Sequence, residues 1–415
     1  MRVIADFHIH SKYSRATSIG MDIENLARYA KIKGIDVLGT GDFTHPQWLK
    51  ELKAKLKPLE NGLFEFDETL YVLSNEVSNI FTSKNKVRKI HNVILAPSFE
   101  IVGQINDELK RFGDLGSDGR PTLSMSAAEL VETVMGISGE CFIFPAHAWT
   151  PHFSVFGANS GFDSMEECFG EQSKHIHALE TGLSSDPPMN WRLSALDKYA
   201  LVSNSDSHSL GRIGREANIF ELDKTSYKAI IDAVKNKDKE KFRMTVEFFP
   251  EEGKYHYDGH RACNVRMSPE ESERNKNICP VCKRKLTIGV MHRVEQLADR
   301  SVGFVPKNAI PYVHLIPLDE IIANSLGRST SSEAVRREYQ KLIAHFKSEF
   351  SVLLDASYEE ISKITYERIA DGAMRMRSGK VTVKAGYDGV YGEIDLFGGR
   401  KEGKYGQKGL EEFLE

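Results

Sequence analysis

Seven short apolar runs punctuate the first two hundred residues, at 2–8, 37–40, 71–73, 92–95, 141–144, 178–179 and 201–202. Runs of this length that are apolar throughout, rather than alternating, read as strands buried on both faces. Helical stretches separate them. In residues 22–33, Asp22 can cap a helix, Leu26, Tyr29 and Ala30 share one face, and Gly34 can stop it. Such alternation predicts parallel strands joined by βα crossovers. It fades after about residue 220. Residues 223–241 look helical and charged, with Asp223 as a cap, and 254–300 are polar and hold a cysteine cluster. From Pro311 the pattern is mostly helical, with capping boxes expected at 330–333 and 357–360, before a glycine-rich stretch at 381–392. The predicted organisation is an α/β barrel over 1–222, a linker helix over 223–253, a small module over 254–300 and a mostly helical region over 301–415.

The residues at the end of each run matter more than the run itself. The first ends in His8-Ile9-His10, the second in Asp42, the third in Glu76, the fifth in His147 and the seventh in Asp206-Ser207-His208. The fourth departs from this order, because His91 opens it. In a βα-barrel the C-terminal strand ends converge on one mouth, so these residues would meet in space. Residues two apart on a strand face the same way, which lets His8 and His10 grip one cation. Mixed imidazole and carboxylate donors suit zinc, manganese or iron over calcium. Eight candidates (His8, His10, Asp42, Glu76, His91, His147, Asp206 and His208) exceed what one tetrahedral ion needs. They imply at least two ions, with Glu76 as a natural bridge. His152, His175, His177 and Glu180 are expected in supporting or surface positions.

A second constellation lies in the polar module. His260 and Cys263, then Cys279 and Cys282, form two knuckle-like pairs. Three thiolates and an imidazole bind zinc tetrahedrally and close it to water, so this ion would be structural. His256 competes with His260 for the fourth position. An odd cysteine count containing one Cys-x-x-Cys argues for metal over disulfides, and leaves Cys141 and Cys168 as free thiols.

Composition changes this picture little. The 415 residues are 40% hydrophobic and 27% charged, as in ordinary soluble domains. No apolar run approaches the roughly 18 residues of a membrane span, and the N-terminus runs directly into a strand, which predicts a cytoplasmic protein. A net charge of −4 argues against generic nucleic-acid coating. Local basic runs remain, at Lys84, Lys86, Arg88 and Lys89, at Lys283-Arg284-Lys285 and at Arg375, Arg377, Lys380 and Lys384, and Lys283, Arg284, Lys285, Arg375, Arg377 and Lys380 are the expected contacts to any polyanion. No Gly-x-x-x-x-Gly-Lys-[Ser/Thr] phosphate loop is present.

The His-Ile-His opening, the 39–45 segment Gly-Thr-Gly-Asp-Phe-Thr-His, Glu76, His91, His147 and Asp206-Ser207-His208 resemble the polymerase and histidinol phosphatase (PHP) domain. That likeness implies a distorted seven-stranded, TIM-like βα-barrel with a two- or three-metal phosphoesterase site. Two departures weigh against a third ion. Ser14, Arg15 and Thr17 stand where the family has a further ligand, and Asp42 is followed by Phe43 rather than histidine. Asp42 is left as a ligand or a catalytic carboxylate. With the stretches 253–263 and 288–300 added, the whole chain is similar to the endonuclease Q family. This resemblance implies a DNA-repair endonuclease that cuts 5′ of deaminated bases (uracil, hypoxanthine, xanthine) and abasic sites, leaving 3′-OH and 5′-phosphate. It implies Asp206, His208 and Asp42 as catalytic residues, two divalent ions (Zn, Mn or Mg), three at most, and one structural zinc. The partner would be damaged duplex or single-stranded DNA, the lesion flipped from the stack. A monomer without membrane contact is expected, with room for contacts to other repair or replication proteins. The alternative is a phosphatase acting on a small phosphomonoester.

Overall fold

A computed structural model describes residues 1–398. The chain forms two compact units. Among the described residues, the first comprises 1–30, 35–245 and 293–310, and the second 31–34, 246–292 and 311–398.

The first unit begins with β1 (Arg2–Asp6), α1 (Ile23–Lys33), β2 (Val37–Gly39), α2 (Pro46–Lys55), β3 (Lys57–Pro58), β4 (Phe64–Phe66), β5 (Thr69–Ser83) and β6 (Lys86–Ala96). It continues with α3 (Phe99–Leu109), β7 (Thr122–Leu123), α4 (Ala127–Ile137), β8 (Phe142–Pro145), α5 (Met165–Phe169), β9 (Ala178–Glu180), α6 (Pro187–Asn190), β10 (Ala200–Val202), β11 (Ala217–Glu221), α7 (Tyr227–Lys235) and β12 (Phe242–Glu247). The seven apolar runs fall on β1, β2, β5, β6, β8, β9 and β10. Their inward residues, among them Val3, Phe7, Val72, Val93, Phe144 and Val202, share one buried cluster. As the sequence predicts, Asp22 caps α1, its carboxylate accepting from the Asn25 N–H at 2.9 Å.

The result is a mixed α/β fold on a central sheet, with two departures from a wholly parallel barrel. β1, β2 and β5 pair in parallel, but β6 runs antiparallel to both β5 and β8. A tight turn makes this possible: Lys84 and Asn85 both have positive φ (49° and 58°), as a two-residue hairpin of matching twist requires. β6 therefore starts at the end of the sheet where parallel strands finish, which explains why His91 opens its run. Second, β9 and β10 form their own parallel pair, and β11 adds antiparallel to the free side of β1.

The expected divisions shift as well. Residues 223–245 are no linker. Helix α7 is shorter than predicted and is capped by Ser226, not Asp223, and β12 neighbours β11 in the sheet. The segment 293–310 returns to the first unit. There Arg293 donates to the carbonyls of Phe156 and Phe162 (both 3.0 Å), Arg300 pairs with both oxygens of Asp197 (2.8 and 2.6 Å), and Asp299 accepts the Ser194 N–H at 2.8 Å.

The second unit contains β13 (Asp258–His260), β14 (Val265–Met267), α8 (Pro269–Arg274), the first residues of α9 (Val290–Leu297), β15 (Tyr312–His314), α10 (Leu318–Leu326), α11 (Glu333–Phe346), α12 (Tyr358–Ile364), α13 (Glu367–Arg377), β16 (Thr382–Lys384) and β17 (Glu393–Asp395). Helices α10 to α13 pack on one another around buried Ile321, Leu342, Ile361 and Ile369. The capping box at Ser357 and Glu360 forms, but α11 is capped by Ser332 rather than Thr330. Residues 399–415, the end of the expected helical region, lie outside the described residues. No helix among the described residues is long and apolar enough to cross a membrane.

The glycine-rich stretch is held by backbone contacts. A Cβ on Gly392 would sit 2.1 Å from the Glu251 carbonyl oxygen. Gly392→Ala should therefore destabilise this unit by about 1–3 kcal/mol, the usual range for overpacking. An unchanged denaturation midpoint for the full chain would contradict that packing.

Candidate metal centres

β1 delivers His8 and His10 to one side while Phe7, facing the other way, enters the core. The strand exit is fixed by a bridge from Ile9 to Ser207, with the His10 N–H donating to the Ser207 carbonyl at 2.9 Å. This contact brings the 203–208 loop, and with it Asp206, beside the histidines. Three residues here hold left-handed backbone: Asp42 (φ 52°), His147 (φ 30°) and Asp206 (φ 46°). Non-glycine residues adopt it at a cost that persists only where surrounding structure imposes it, and such strain concentrates at functional sites.

The donor atoms fall into two groups that share one residue. In each, the donors lie within 4.8 Å of one another: His8, His10, Glu76 and Asp206 form one, and Glu76, His91 and His147 the other. The buried carboxylate of Glu76, on β5, spans them. Its Oε2 lies 3.1 Å from His10 Nε2, 3.5 Å from His8 Nε2 and 3.0 Å from the Arg120 guanidinium. Its Oε1 lies 2.7 Å from His91 Nδ1 and 3.0 Å from His147 Nε2. Asp206 Oδ1 completes the first group, 3.1 Å from His10 Nε2 and 3.6 Å from His8 Nε2.

The outer nitrogens of the histidines are occupied. His8 Nδ1 faces both oxygens of Glu180 at 3.0 and 3.1 Å, and Glu180 also accepts from the Asn204 amide and the His147 backbone N–H (both 2.8 Å). In its neutral form, with Nδ1 donating, His8 presents a lone pair at Nε2, and this buried atom has no hydrogen-bond partner. Such an atom between two carboxylates fits a cation, and a carboxylate behind an imidazole is the usual support of a metal-ligating histidine. The same arrangement recurs at His10, whose Nδ1 lies 3.1 Å from Asp42 Oδ1.

Asp42 thus stands behind His10 and outside both donor groups. Its Oδ2 is filled by the Ser11 N–H and hydroxyl (2.7 and 2.6 Å) and the Ser14 hydroxyl (2.9 Å). Ser14, which occupies the place of a family ligand, therefore holds a carboxylate. Gly119 packs on this cluster, since a Cβ there would lie 2.3 Å from Asp42 Oδ2. His208 also lies outside the donor groups. It is partly exposed, its ring 4.4 Å from that of His10 and its Nδ1 donating to the Asp206 carbonyl at 2.9 Å. His45 caps α2. Sequence reasoning missed Arg120, because one arginine in a loop carries no pattern, and left Glu180 among supporting or surface positions, where it proves to be the support of His8.

Electrostatics favour cations here. Burial alone would neutralise Asp206 and Glu76. The imidazoles of His8 and His10 outweigh it at Asp206, as do His91, Arg120 and His8 at Glu76, and both carboxyls are held well below their ordinary range. Burial likewise opposes charge on His8 and His10, yet the facing carboxylates, Glu180 foremost for His8 and Asp42 for His10, hold both well above the ordinary imidazole value. Burial pulls His91 down to about 4.

In the second unit, His260, Cys263, Cys279 and Cys282 bring their donors within 4.8 Å of one another. His260 ends β13, and its Nδ1 lies 3.7 Å from Cys282 Sγ. His256 is buried outside this group, 3.9 Å from Glu251. The turn after Cys279 closes through the Cys279 N–H to the Arg284 carbonyl (2.8 Å), and the Arg284 N–H pulls the Cys282 thiol down to about 6. All five cysteines are free thiols. The expected polyanion contacts fare unevenly. Arg377 is spent on the carbonyls of Leu353 and Val352 (2.7 and 2.5 Å) and Arg375 on Asp371 (3.0 Å), whereas Lys285 and Lys380 have no side-chain partner among the described residues.

The carboxylates facing His8 and His10 favour the protonated rings, so an ion that binds there competes with protons. Adding Mn²⁺ or Zn²⁺ should release protons, and affinity should fall as pH is lowered. Calorimetric titration in buffers of different ionisation enthalpy measures this, and a heat independent of buffer would refute it.

Residues 317–380, which span α10 to α13, match the family described as the MJ0043 C-terminal domain. The chain is 29% identical over 414 residues to the uncharacterized protein YqxK of Bacillus subtilis, covering 95% of this chain and 99% of that protein. It is 32% identical over 271 residues to MJ0043 of Methanocaldococcus jannaschii, covering 64% of this chain but only 32% of that longer protein. Among solved structures, the lesion-specific endonuclease PfuEndoQ from Pyrococcus furiosus superposes with a TM-score of 0.86 at 34% identity, over 95% of both chains. Endonuclease Q in complex with a 27-mer duplex substrate, an abasic lesion at its active site, gives 0.83 at 33% identity, over 95% of this chain and 96% of that one. With fold, length and a third of its residues shared in this way, the chain belongs to the endonuclease Q family.

Proposed function

We propose that this protein is a metal-dependent endodeoxyribonuclease that cuts the phosphodiester on the 5′ side of an abasic site or a deaminated base, leaving 3′-OH and 5′-phosphate. The observation that carries the reading is the Glu76 carboxylate spanning two donor groups, in a chain that matches a lesion-specific endonuclease over 95% of its length. Paired ions in such a site activate water and offset charge on the attacking and leaving oxygens of an in-line displacement. His8, His10 and Asp206 would hold one ion and His91 and His147 the other, with Glu76 between them. Asp42 and Glu180 fix the rings of His10 and His8 rather than ligating. The Arg120 guanidinium, already paired with Glu76, is free to turn to a phosphate oxygen once ions neutralise that carboxylate, and a planar fork suits such an oxygen. His208 Nε2, with Nδ1 tied to a carbonyl, faces no protein partner among the described residues and is available to the reacting groups. A damaged base pairs weakly, which lowers the cost of flipping it into a site of this kind.

His260, Cys263, Cys279 and Cys282 would hold a structural zinc, four protein ligands leaving no open position. The turn at 279–284 supports this reading, since its N–H to sulfur contact favours a thiolate.

Nicking of duplexes carrying an abasic site, uracil or hypoxanthine tests the activity directly. Glu76→Gln and Asp206→Asn should abolish it while circular dichroism stays native, because fold stability resides in the apolar cluster. Arg120→Ala should lower nicking about a hundredfold, the usual cost of one transition-state donor, with metal content retained. Hydrolysis of small phosphomonoesters without any cut in damaged duplex would overturn the proposal in favour of a phosphatase.

Cys279→Ser should lose one equivalent of zinc by elemental analysis and expose residues 258–287 to proteolysis. Unchanged zinc stoichiometry would exclude this ligand set.

A further inference from the structure

Two stretches far apart in sequence, 251–263 and 384–392, are clasped together within the second unit. The Tyr257 N–H donates to the Gly386 carbonyl, Gly386 to Glu251, Gly389 to Lys254 and Gly392 to Glu252, at 3.0, 2.7, 2.8 and 3.0 Å. Tyr387 lies against Gly259, and its hydroxyl donates to Asn264 at 2.8 Å. Asp388 accepts the Arg261 N–H and the Thr287 hydroxyl, both at 2.6 Å. The glycines are required by this close approach: a Cβ on Gly386 would lie 2.5 Å from the Gly253 carbonyl oxygen.

The clasp turns four large side chains outward. Tyr391 is 69% exposed and Tyr255 39%. Lys254 Nζ lies 5.9 Å from the centre of the Tyr255 ring and 5.6 Å from that of Tyr391. Arg261 and the Tyr255 hydroxyl both border Gly389, where a Cβ would sit 3.3 and 3.9 Å from them. Neither the Lys254 ammonium nor the Arg261 guanidinium has a carboxylate partner among the described residues. A single exposed tyrosine is ordinary surface. Two rings flanking an unpaired lysine, with an unpaired arginine alongside and a rigid backbone beneath, make a different arrangement. Ring faces take the flat surfaces of bases or sugars, and the two cations take phosphates, which together is how proteins track a nucleic-acid strand without reading its sequence.

We infer that Lys254, Tyr255, Arg261 and Tyr391 form a DNA-strand contact in the second unit, sequence-independent and separate from the metal centres. This inference rests on the endonuclease reading and adds to it a surface that holds undamaged DNA flanking the lesion.

The test uses the full-length, metal-loaded protein and fluorescence anisotropy with an undamaged labelled duplex across a salt series. Lys254→Ala with Tyr391→Ala should weaken binding about tenfold, through loss of one phosphate contact and one aromatic contact to the strand's sugars. Lys254→Ala alone should lower the slope of log K against log salt by about one. Tyr391→Phe should bind as the parent does. Zinc content, Tm and hydrolysis of bis(p-nitrophenyl) phosphate should match the parent in every variant, which separates lost contact from lost structure or chemistry. If the parent binds and nicks damaged duplex while the double variant binds with unchanged affinity and salt slope, the surface is not a DNA contact and the endonuclease reading survives. A parent chain that binds no DNA overturns both.

Discussion

One carboxylate organises the first unit. Glu76 faces two imidazoles through one oxygen, two more through the other, and a guanidinium besides. The carboxylate and the four imidazoles are buried, where an unbalanced charge would cost several kcal/mol. That requirement explains much of the surrounding architecture. The hairpin between β5 and β6 pairs His91 with Ser78, two residues along β5 from Glu76 and on the same face, the bridge from Ile9 to Ser207 supplies Asp206, and the 113–121 loop supplies Arg120 as a compensating cation. Glu180 and Asp42 in turn bear on the histidines from behind, so ring orientations are set before any ion arrives.

The legible part of this site was the part written in strand ends. His-x-His, a glutamate just past one apolar run and Asp-Ser-His past another are local signals, and they landed beside one another, although β5 runs on through Glu76 to Ser83 instead of ending there. His91 resisted, since its place depends on strand direction, and direction was decided by the backbone of two turn residues rather than by apolar pattern. Asp42 and Glu180 were harder still. Both are acidic residues at strand ends, and whether such a residue points at the centre or at a histidine's far nitrogen depends on one rotamer and on partners such as Ser11, Ser14 and Asn204. Arg120 belongs to a loop with no periodicity to betray it.

In the second unit the cysteine spacing announced its cluster, and the capped helices came from ordinary amphipathic pattern. The basic positions were misleading. Arg375 and Arg377 look like surface charge in sequence, yet Arg377 stitches one helix to carbonyls of the 351–355 turn. Charge alone does not separate an arginine that meets solvent from one that terminates a stretch of backbone. In the glycine-rich stretch, the absence of side chains at Gly386 and Gly392 permits close backbone packing, which residue type alone does not reveal.

The path of the chain between its two units has a consequence for biosynthesis. Residues 293–310 complete the first unit, gripping the 156–163 and 191–197 segments, but they are synthesised only after the entire cysteine module. A ribosome that has released residues 1–245 has therefore released an unfinished unit, whose partner carbonyls at Phe156, Phe162 and Trp191 wait for arginines still to come. Such an order favours late, concerted closure over sequential maturation. It also means that the first unit cannot be excised at a single cut or moved to another protein as one uninterrupted segment.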